Sequence, residues 1–493
     1  GYRASRYNTG AYNTSLGYQA LLGASGASTG TSNVAIGYNT LKAATTGYGN
    51  TAVGAETLDA VTEGFYNIGI GPAAGGSITT GDYNIAIGYA AFDAATTAGS
   101  TIAIGYAALS AYTHAENSFN VAIGTQTAYL KTSGRFNTYI GGYKVADADL
   151  TGEYNTYLGS YTNQYGTATS NATLIGYQAG RYATGSYNTF VGKDAGKGGT
   201  TSAPYSTGQQ NTGVGTEALE SITTGGTNVG VGYRSGDGVT SGYQNTLVGA
   251  YSGYLLGKGI ESTIIGYNAG YYATGSKNTF VGKDAGKGGT TSAPFSSGQN
   301  NVALGYKALT AFTTGGDNTA VGYQAGDAVT SGVRNTIMGM QAGQALTTGQ
   351  HNVMIGAFTG YPTQDVDGAV LIGYQAGYGG NMTSAADGTV AIGFQAMNNL
   401  TTGQRNTGVG SGILYTNSSD GDNNTAMGYQ AGFYNYKGGN NTHFGAYAGH
   451  YATGSNNTFV GKDAGKGGQT SAPFSSGGDN VAIGYNALKS FTT

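Results

Sequence analysis

The residues able to act on a ligand are few, and most sit in one phrase that occurs three times. Gly192-Lys193-Asp194-Ala195-Gly196-Lys197-Gly198 leads to Ser202-Ala203-Pro204-Tyr205-Ser206, and near-copies run from Gly282 to Phe295 and from Gly461 to Phe474. A lysine among glycines suggests a phosphate cradle. A phosphate loop, however, has four residues between its glycines and a Ser or Thr after the lysine to hold magnesium. Here three residues intervene and Gly198 follows Lys197, so that chemistry is excluded. Gly230-Val231-Gly232 opens like a dinucleotide fingerprint but lacks the helix that should follow.

Asp420, Asp422 and Asn424 form an oxygen-rich cluster, with weaker versions at Asp147 with Asp149 and Asp365 with Asp367. Such groups suit calcium, but none has the glycine and distal glutamate of an EF-hand. The calcium-binding nonapeptide of β-rolls does not recur either. Turn-forming Asp and Asn account for these clusters, so no metal or cofactor is expected. The four histidines (His114, His351, His443, His450) are scattered, and only His114 has a close carboxylate, Glu116. No nucleophile and base pair emerges, and acidic residues are too sparse to suggest the paired carboxylates of a glycosidase. The expectation is that the chain is not an enzyme.

Composition narrows the class further. Only 9% of the 493 residues are charged, against roughly a quarter in ordinary soluble domains. Polarity comes instead from 92 Gly, 41 Tyr and many Asn, Thr, Ser and Gln. A net charge of -3 with no Lys/Arg stripe between the tyrosines gives no footprint for nucleic acid. The absence of cysteine excludes disulfides and thiolate metal sites. No run of about twenty apolar residues exists to cross a membrane as a helix. Gly1 falls on a repeat's own glycine and Thr493 stops partway into a repeat, which reads as a segment of something longer.

All candidate residues hang on a repeat, Asn-(Thr/Val/Ile)-X-(Ile/Val/Leu)-Gly-Tyr-X-Ala, clean in Asn33 to Tyr38 and in Asn84 to Tyr89. Its glycine recurs twenty-eight times from Gly1 to Gly484, usually seventeen residues apart, and an apolar residue always precedes it, from Leu16 and Ile36 to Val460 and Ile483. A flexible Gly/Ser linker has no reason to keep that register. A β-branched run closed by Gly reads as a strand. One strand per coil at constant phase predicts an all-β parallel β-solenoid of about 28 coils, roughly 130 Å long at about 4.8 Å per coil. The asparagine four residues before the glycine, replaced only at Thr101, Ala172, Ser262, Ala369 and Thr389 along the continuous series, predicts an Asn ladder along the axis.

Strand parity carries the assembly argument. Positions one and three before the glycine share one face and the position between them takes the other, and both faces are apolar. Such strands are buried on both sides, and a seventeen-residue coil is too thin to do so alone. A second copy must cover the open face. Closed cyclic association is the usual solution, which predicts a coaxial homotrimer, with end-to-end stacking a further self-contact. Thr-Thr-Gly marks a turn, with a second, more exposed strand expected before it. An ice-binding Thr array is set aside, because the Thr after the ladder Asn alternates with Val34, Ile68, Ile85 and Val121 and is expected to point inward.

The spacings show a higher order. Five coils make one super-repeat, giving 1–87, 88–175, 176–265, 266–355, 356–444 and an incomplete 445–493 within one continuous array, and the second coil is always the long one. Insertions in solenoids map to loops, often on the binding face. The candidate contact residues are therefore Lys193, Asp194, Lys197, Pro204, Tyr205, Pro294, Phe295, Pro473 and Phe474. An aromatic after proline offers a face to sugar or protein; it could equally fold back over the coil edge.

The phrases Asn33-Val34-Ala35-Ile36-Gly37-Tyr38-Asn39-Thr40 and Asn480 to Gly484 resemble the head repeats of YadA-type trimeric autotransporter adhesins, and Asn318 to Ala325 is similar to repeats of phage tail fibres and large bacterial surface proteins. The likeness covers the whole chain. It implies a left-handed parallel β-roll, trimeric, serving as head or shaft of an adhesive fibre. The chain departs from that pattern in its longer coil, its Asn in place of Ser and its many Tyr. The functional expectation is an extracellular fibre on a virion or cell surface, displaying loops for multivalent attachment to a host-surface glycan or protein. The alternative is an architectural filament or sheath subunit with no specific ligand.

Overall fold

The computed structural model describes residues 1–24, 28–199, 205–291, 295–416, 421–468 and 475–492. Pro204, Pro294, Pro473, Phe474 and Asp420 lie outside these residues. The chain divides into two compact units, Gly1–Gln244 and Asn245–Thr493. Among the described residues, thirteen short strands, from Thr14–Leu16 to Val229–Val231, lie in the first, and fourteen, from Thr246–Val248 to Val481–Ile483, in the second. Among the described residues the only helix is the 3-10 turn Ser384–Ala386, and no helix is long and apolar enough to cross a membrane.

Within the first unit each strand pairs in parallel with the next, and the same holds within the second. The register is the repeat's own: Ile85 lies beside Ile102, Ala86 beside Ala103, and Ile87 beside Ile104. The fold is a parallel β-solenoid. One irregularity interrupts it, between strands Val121–Thr125 and Thr138–Tyr143, where the register shifts past Ile123 and Thr125.

The asparagines do form the ladder. Asn33 Oδ1 accepts from the backbone N–H of Asn50 (2.9 Å) and from its Nδ2 (3.1 Å), and Asn50 Oδ1 does the same for Asn67. Each Nδ2 also reaches a turn carbonyl of the following coil, as Asn50 does to Gly64 at 2.8 Å. One buried side chain thus satisfies several backbone groups that would otherwise be orphaned. The repeat glycine has a different reason. Gly37 has φ +141, and a Cβ there would run into the carbonyl of Gly54 in the next coil.

Two expectations need correction. No second strand precedes the Thr-Thr-Gly turn among the described residues. Alternate residues there take positive φ, Asn39 (55) and Leu41 (48) in one coil, Ala107 (53) and Leu109 (51) in another. A strand needs successive residues in the extended region, so this stretch coils instead and drops Leu41 and Leu109 into the core, both fully buried. The Thr-Thr-Gly turn is itself laddered: Thr62 O accepts from the N–H groups of Thr45, Thr46 and Gly47. Nor does the residue after the ladder Asn point inward. The middle strand residue is buried, while the two flanking it are half-buried or exposed, as in Ile68–Ile70 and Ile85–Ile87. The outward row remains a mixture of Thr, Val and Ile rather than a regular hydroxyl array.

Core volume is balanced between the middle strand residue and the residue six further on. Small residues pair with large ones, Ala35 with Leu41 and Ala86 with Phe92, all fully buried. Large ones pair with glycine: Leu247 with Gly253, Ile264 with Gly270, Phe280 with Gly286. Where both are small, other side chains fill the gap, as Leu58 of the preceding coil and Ile78 of the same coil do around Gly75. Close packing of this kind tolerates neither an added nor a missing methylene without cost.

Candidate contact surface

In each unit the uncovered face of the strands is uncharged, and its row next to the repeat glycine is apolar. Leu16, Ile36, Ile70, Leu158 and Val214 are exposed in the first unit, and Ile265, Leu304, Met338, Met427 and Phe444 in the second. An apolar face kept in register coil after coil exceeds the scattered exposure normal for a surface. Beside it runs the tyrosine that follows the repeat glycine. Tyr2, Tyr18 and Tyr38 stack with ring centroids 5.7 and 5.5 Å apart, Tyr89 stacks on Tyr106 at 5.6 Å, and Tyr306 on Tyr323 at 5.3 Å. On the other side, the residue before the ladder Asn forms a second aromatic row, Phe119, Phe136 and Tyr154. The high tyrosine content signalled these stacks; their position could be derived from the repeat phase.

The long coils bring Lys193, Asp194 and Lys197 together, while Tyr205 lies elsewhere on the coil. Asp194 is buried and takes Lys193 Nζ at 2.9 Å and Lys197 Nζ at 3.6 Å; Lys197 also reaches Glu220 at 3.2 Å. These carboxylates hold both ammonium groups above the usual lysine range, Lys193 through Asp194 and Lys197 through Glu220 and Asp194, against the burial that lowers Lys197. The same pairing recurs in the copies, Lys287 with Asp284 at 3.8 Å and Lys466 with Asp463 at 2.9 Å. Tyr205 is half-buried and stacks on Tyr165 and Tyr182, and Phe295 stacks on Tyr272. Both described rings are folded back over the coil.

Next to one long coil the surface is open. Tyr251, Tyr267, Asn268, Tyr271, Tyr272 and Lys287 line a groove of about 260 Å³. Tyr271 stands where the preceding copy has Arg181, whose guanidinium lies over the rings of Tyr161, Tyr165 and Tyr182 at 5.2 to 5.6 Å. In the following copy His450 takes that place, with its ring against Tyr451 and Tyr447. Three copies of one phrase therefore present three different surfaces. This groove lay outside the candidate loop residues, and a count of Tyr at fixed offsets from Gly266 would have pointed to it.

Among the described residues, the other acidic candidates have protein partners. Asp147 pairs with Lys144 at 3.3 Å, and Asp365 and Asp367 accept backbone N–H groups of neighbouring coils. Glu217, Glu220 and Asp237 converge, but Arg234 and Lys197 already bind this trio. His443 is fully buried between apolar coils, and burial pushes it down to about 4. Comparison of the sequence with protein-family models and with curated proteins finds no match.

Proposed function

We propose that the chain is a segment of an extracellular adhesive fibre, in which copies associate coaxially, as a homotrimer, through the uncovered strand face. The observation that carries this reading is the uncharged apolar row kept at one phase in each unit. Only a surface with the same axial repeat can meet such a row coil for coil, and a second copy of this chain has that repeat. Neither row of the face has a charge to oppose a like surface. Light scattering on the intact chain is expected to give three times the chain mass; a folded monomer would sink the reading.

The long coils and the tyrosine groove beside one of them supply the recognition half. Aromatic faces with an amide and an ammonium suit a neutral glycan, and repetition along a fibre turns weak contacts into avidity. If removing residues 199–205 and the matching stretches of the other two copies, together with Tyr271→Ala, left surface attachment unchanged, the recognition half would fail. The folded-back Tyr205 and Phe295 and the paired lysines favour the second reading, an architectural filament or sheath subunit without a specific ligand. An image of the native assembly separates the two: a spike on a virion or cell, or an open-ended filament.

A further inference from the structure

One core row breaks its own rule. The row eleven residues after the ladder position, buried in every coil of this stretch, holds Val61, Ile78, Ala95 and Tyr112, then Lys131 and, in the next coil and one residue further on, Asp149. Both charged side chains are fully buried, with Lys131 Nζ 3.7 Å from Asp149 Oδ2. Replacing a buried apolar pair by an ionic one seldom adds stability. Something else is needed to explain why two charges face each other in the core of a chain only 9% of whose residues are charged.

The surroundings resemble a reaction site. Lys131 Nζ donates to Gly152 O at 2.7 Å, which turns one of its hydrogens away from Asp149. Asp149 Oδ1 accepts from the Gly152 N–H at 2.9 Å, and Oδ2 accepts from the Tyr139 hydroxyl at 2.7 Å. The Tyr139 ring lies 5.7 Å from Nζ and stacks on Tyr157 at 5.0 Å, closing the site to water. Two glycines leave the space: a Cβ on Gly134 would sit 3.0 Å from Nζ, and one on Gly152 2.5 Å from Oδ1. Burial lowers the lysine and raises the aspartate, so one proton moved within the pair yields a neutral amine facing a neutral acid.

We propose that Lys131 and Asp149 are a self-modification site, at which the lysine amine attacks the aspartate carboxyl carbon and the two side chains become joined by an amide bond. The Nζ–Cγ bond forms and the Cγ–Oδ2 bond breaks. Oδ2 leaves as water, taking one hydrogen from the amine in addition to the acid's own, and no oxidant, reductant or co-reactant enters. The Gly152 N–H holds the developing charge on Oδ1, the role of an oxyanion donor. Tyr139 delivers a proton to Oδ2 and recovers one from the attacking nitrogen, acting as general acid and base. Desolvation activates the amine, as it does for lysine nucleophiles generally. The product ties two neighbouring coils covalently in a chain without cysteine, independently of what the fibre binds.

Intact-mass measurement on the purified full chain tests this without any variant. The expected mass is lower than the sequence mass by one water, about 18 Da, and digestion is expected to release a branched peptide joining the segments around Lys131 and Asp149. A chain at its full sequence mass, with both peptides recovered separately, overturns the proposal. So does a loss of water that persists in Lys131→Met, since dehydration would then lie elsewhere. Tyr139→Phe, which keeps the ring and its stack, is expected to leave much of the chain unlinked. Complete linkage in that variant would remove Tyr139 from the step.

Discussion

The ring of Phe190 lies directly against the α-carbon of Gly196, so closely that a Cβ on the glycine would enter the ring. Gly196 also has φ +52, where an alanine is strained. Gly196→Ala therefore combines overpacking with backbone strain, and a loss of about 2–4 kcal/mol is expected. Hydrogen exchange of the amides in this coil measures it. Adding Phe190→Ala should recover the overpacking part but not the strain, so the two substitutions should be clearly non-additive.

The Asn ladder predicts an order of costs. Asn50→Ala removes the acceptor of two Asn67 groups and leaves them buried, at about 1–3 kcal/mol per orphaned group. Asn50→Ser should cost less, because a serine in this row still serves the next coil: Ser262 Oγ accepts from the Asn278 N–H at 3.2 Å. Equal losses in urea melts of the two variants would refute the ranking.

Acid should loosen the second unit locally through His443. Neither ring nitrogen has a partner, and burial lowers its pKa to about 4. The unfolded chain, with the histidine near 6.5, binds the proton first. Stability is thus full above about pH 6.5 and is lost as pH falls toward 4, by about 3 kcal/mol. His443→Phe should flatten that dependence, since Gly449 leaves ring space as Gly465 does for Phe459. Exchange rates of the amides around Thr442–Phe444 between pH 7 and 4 report it.

Charge on the open face should dissociate the assembly without unfolding the coils. Ile70 and Leu158 are 41% and 45% exposed in the single chain, so Ile70→Lys with Leu158→Lys meets no packed neighbour there. The expected outcome is a fall in particle mass at unchanged far-ultraviolet circular dichroism. A mass unaffected by both lysines would place the association elsewhere.

Much of this was legible in the residues alone. The phase of the apolar residue before each glycine determines the strand, its parallel register and the Asn ladder, because a fixed spacing along the chain becomes a fixed row once coils stack. The same phase placed Lys193, Asp194 and Lys197 on the long coils. What spacing does not contain is the direction in which side chains of a closed coil turn. Only the tertiary structure decided that Ala35 faces the core while Val34 and Ile36 face out, and that positive φ at Asn39 and Leu41 replaces a second strand. It alone brought Phe190 onto Gly196, gathered the tyrosines around Lys287, and set Lys131 against Asp149, since each of these depends on how the backbone bends between rows.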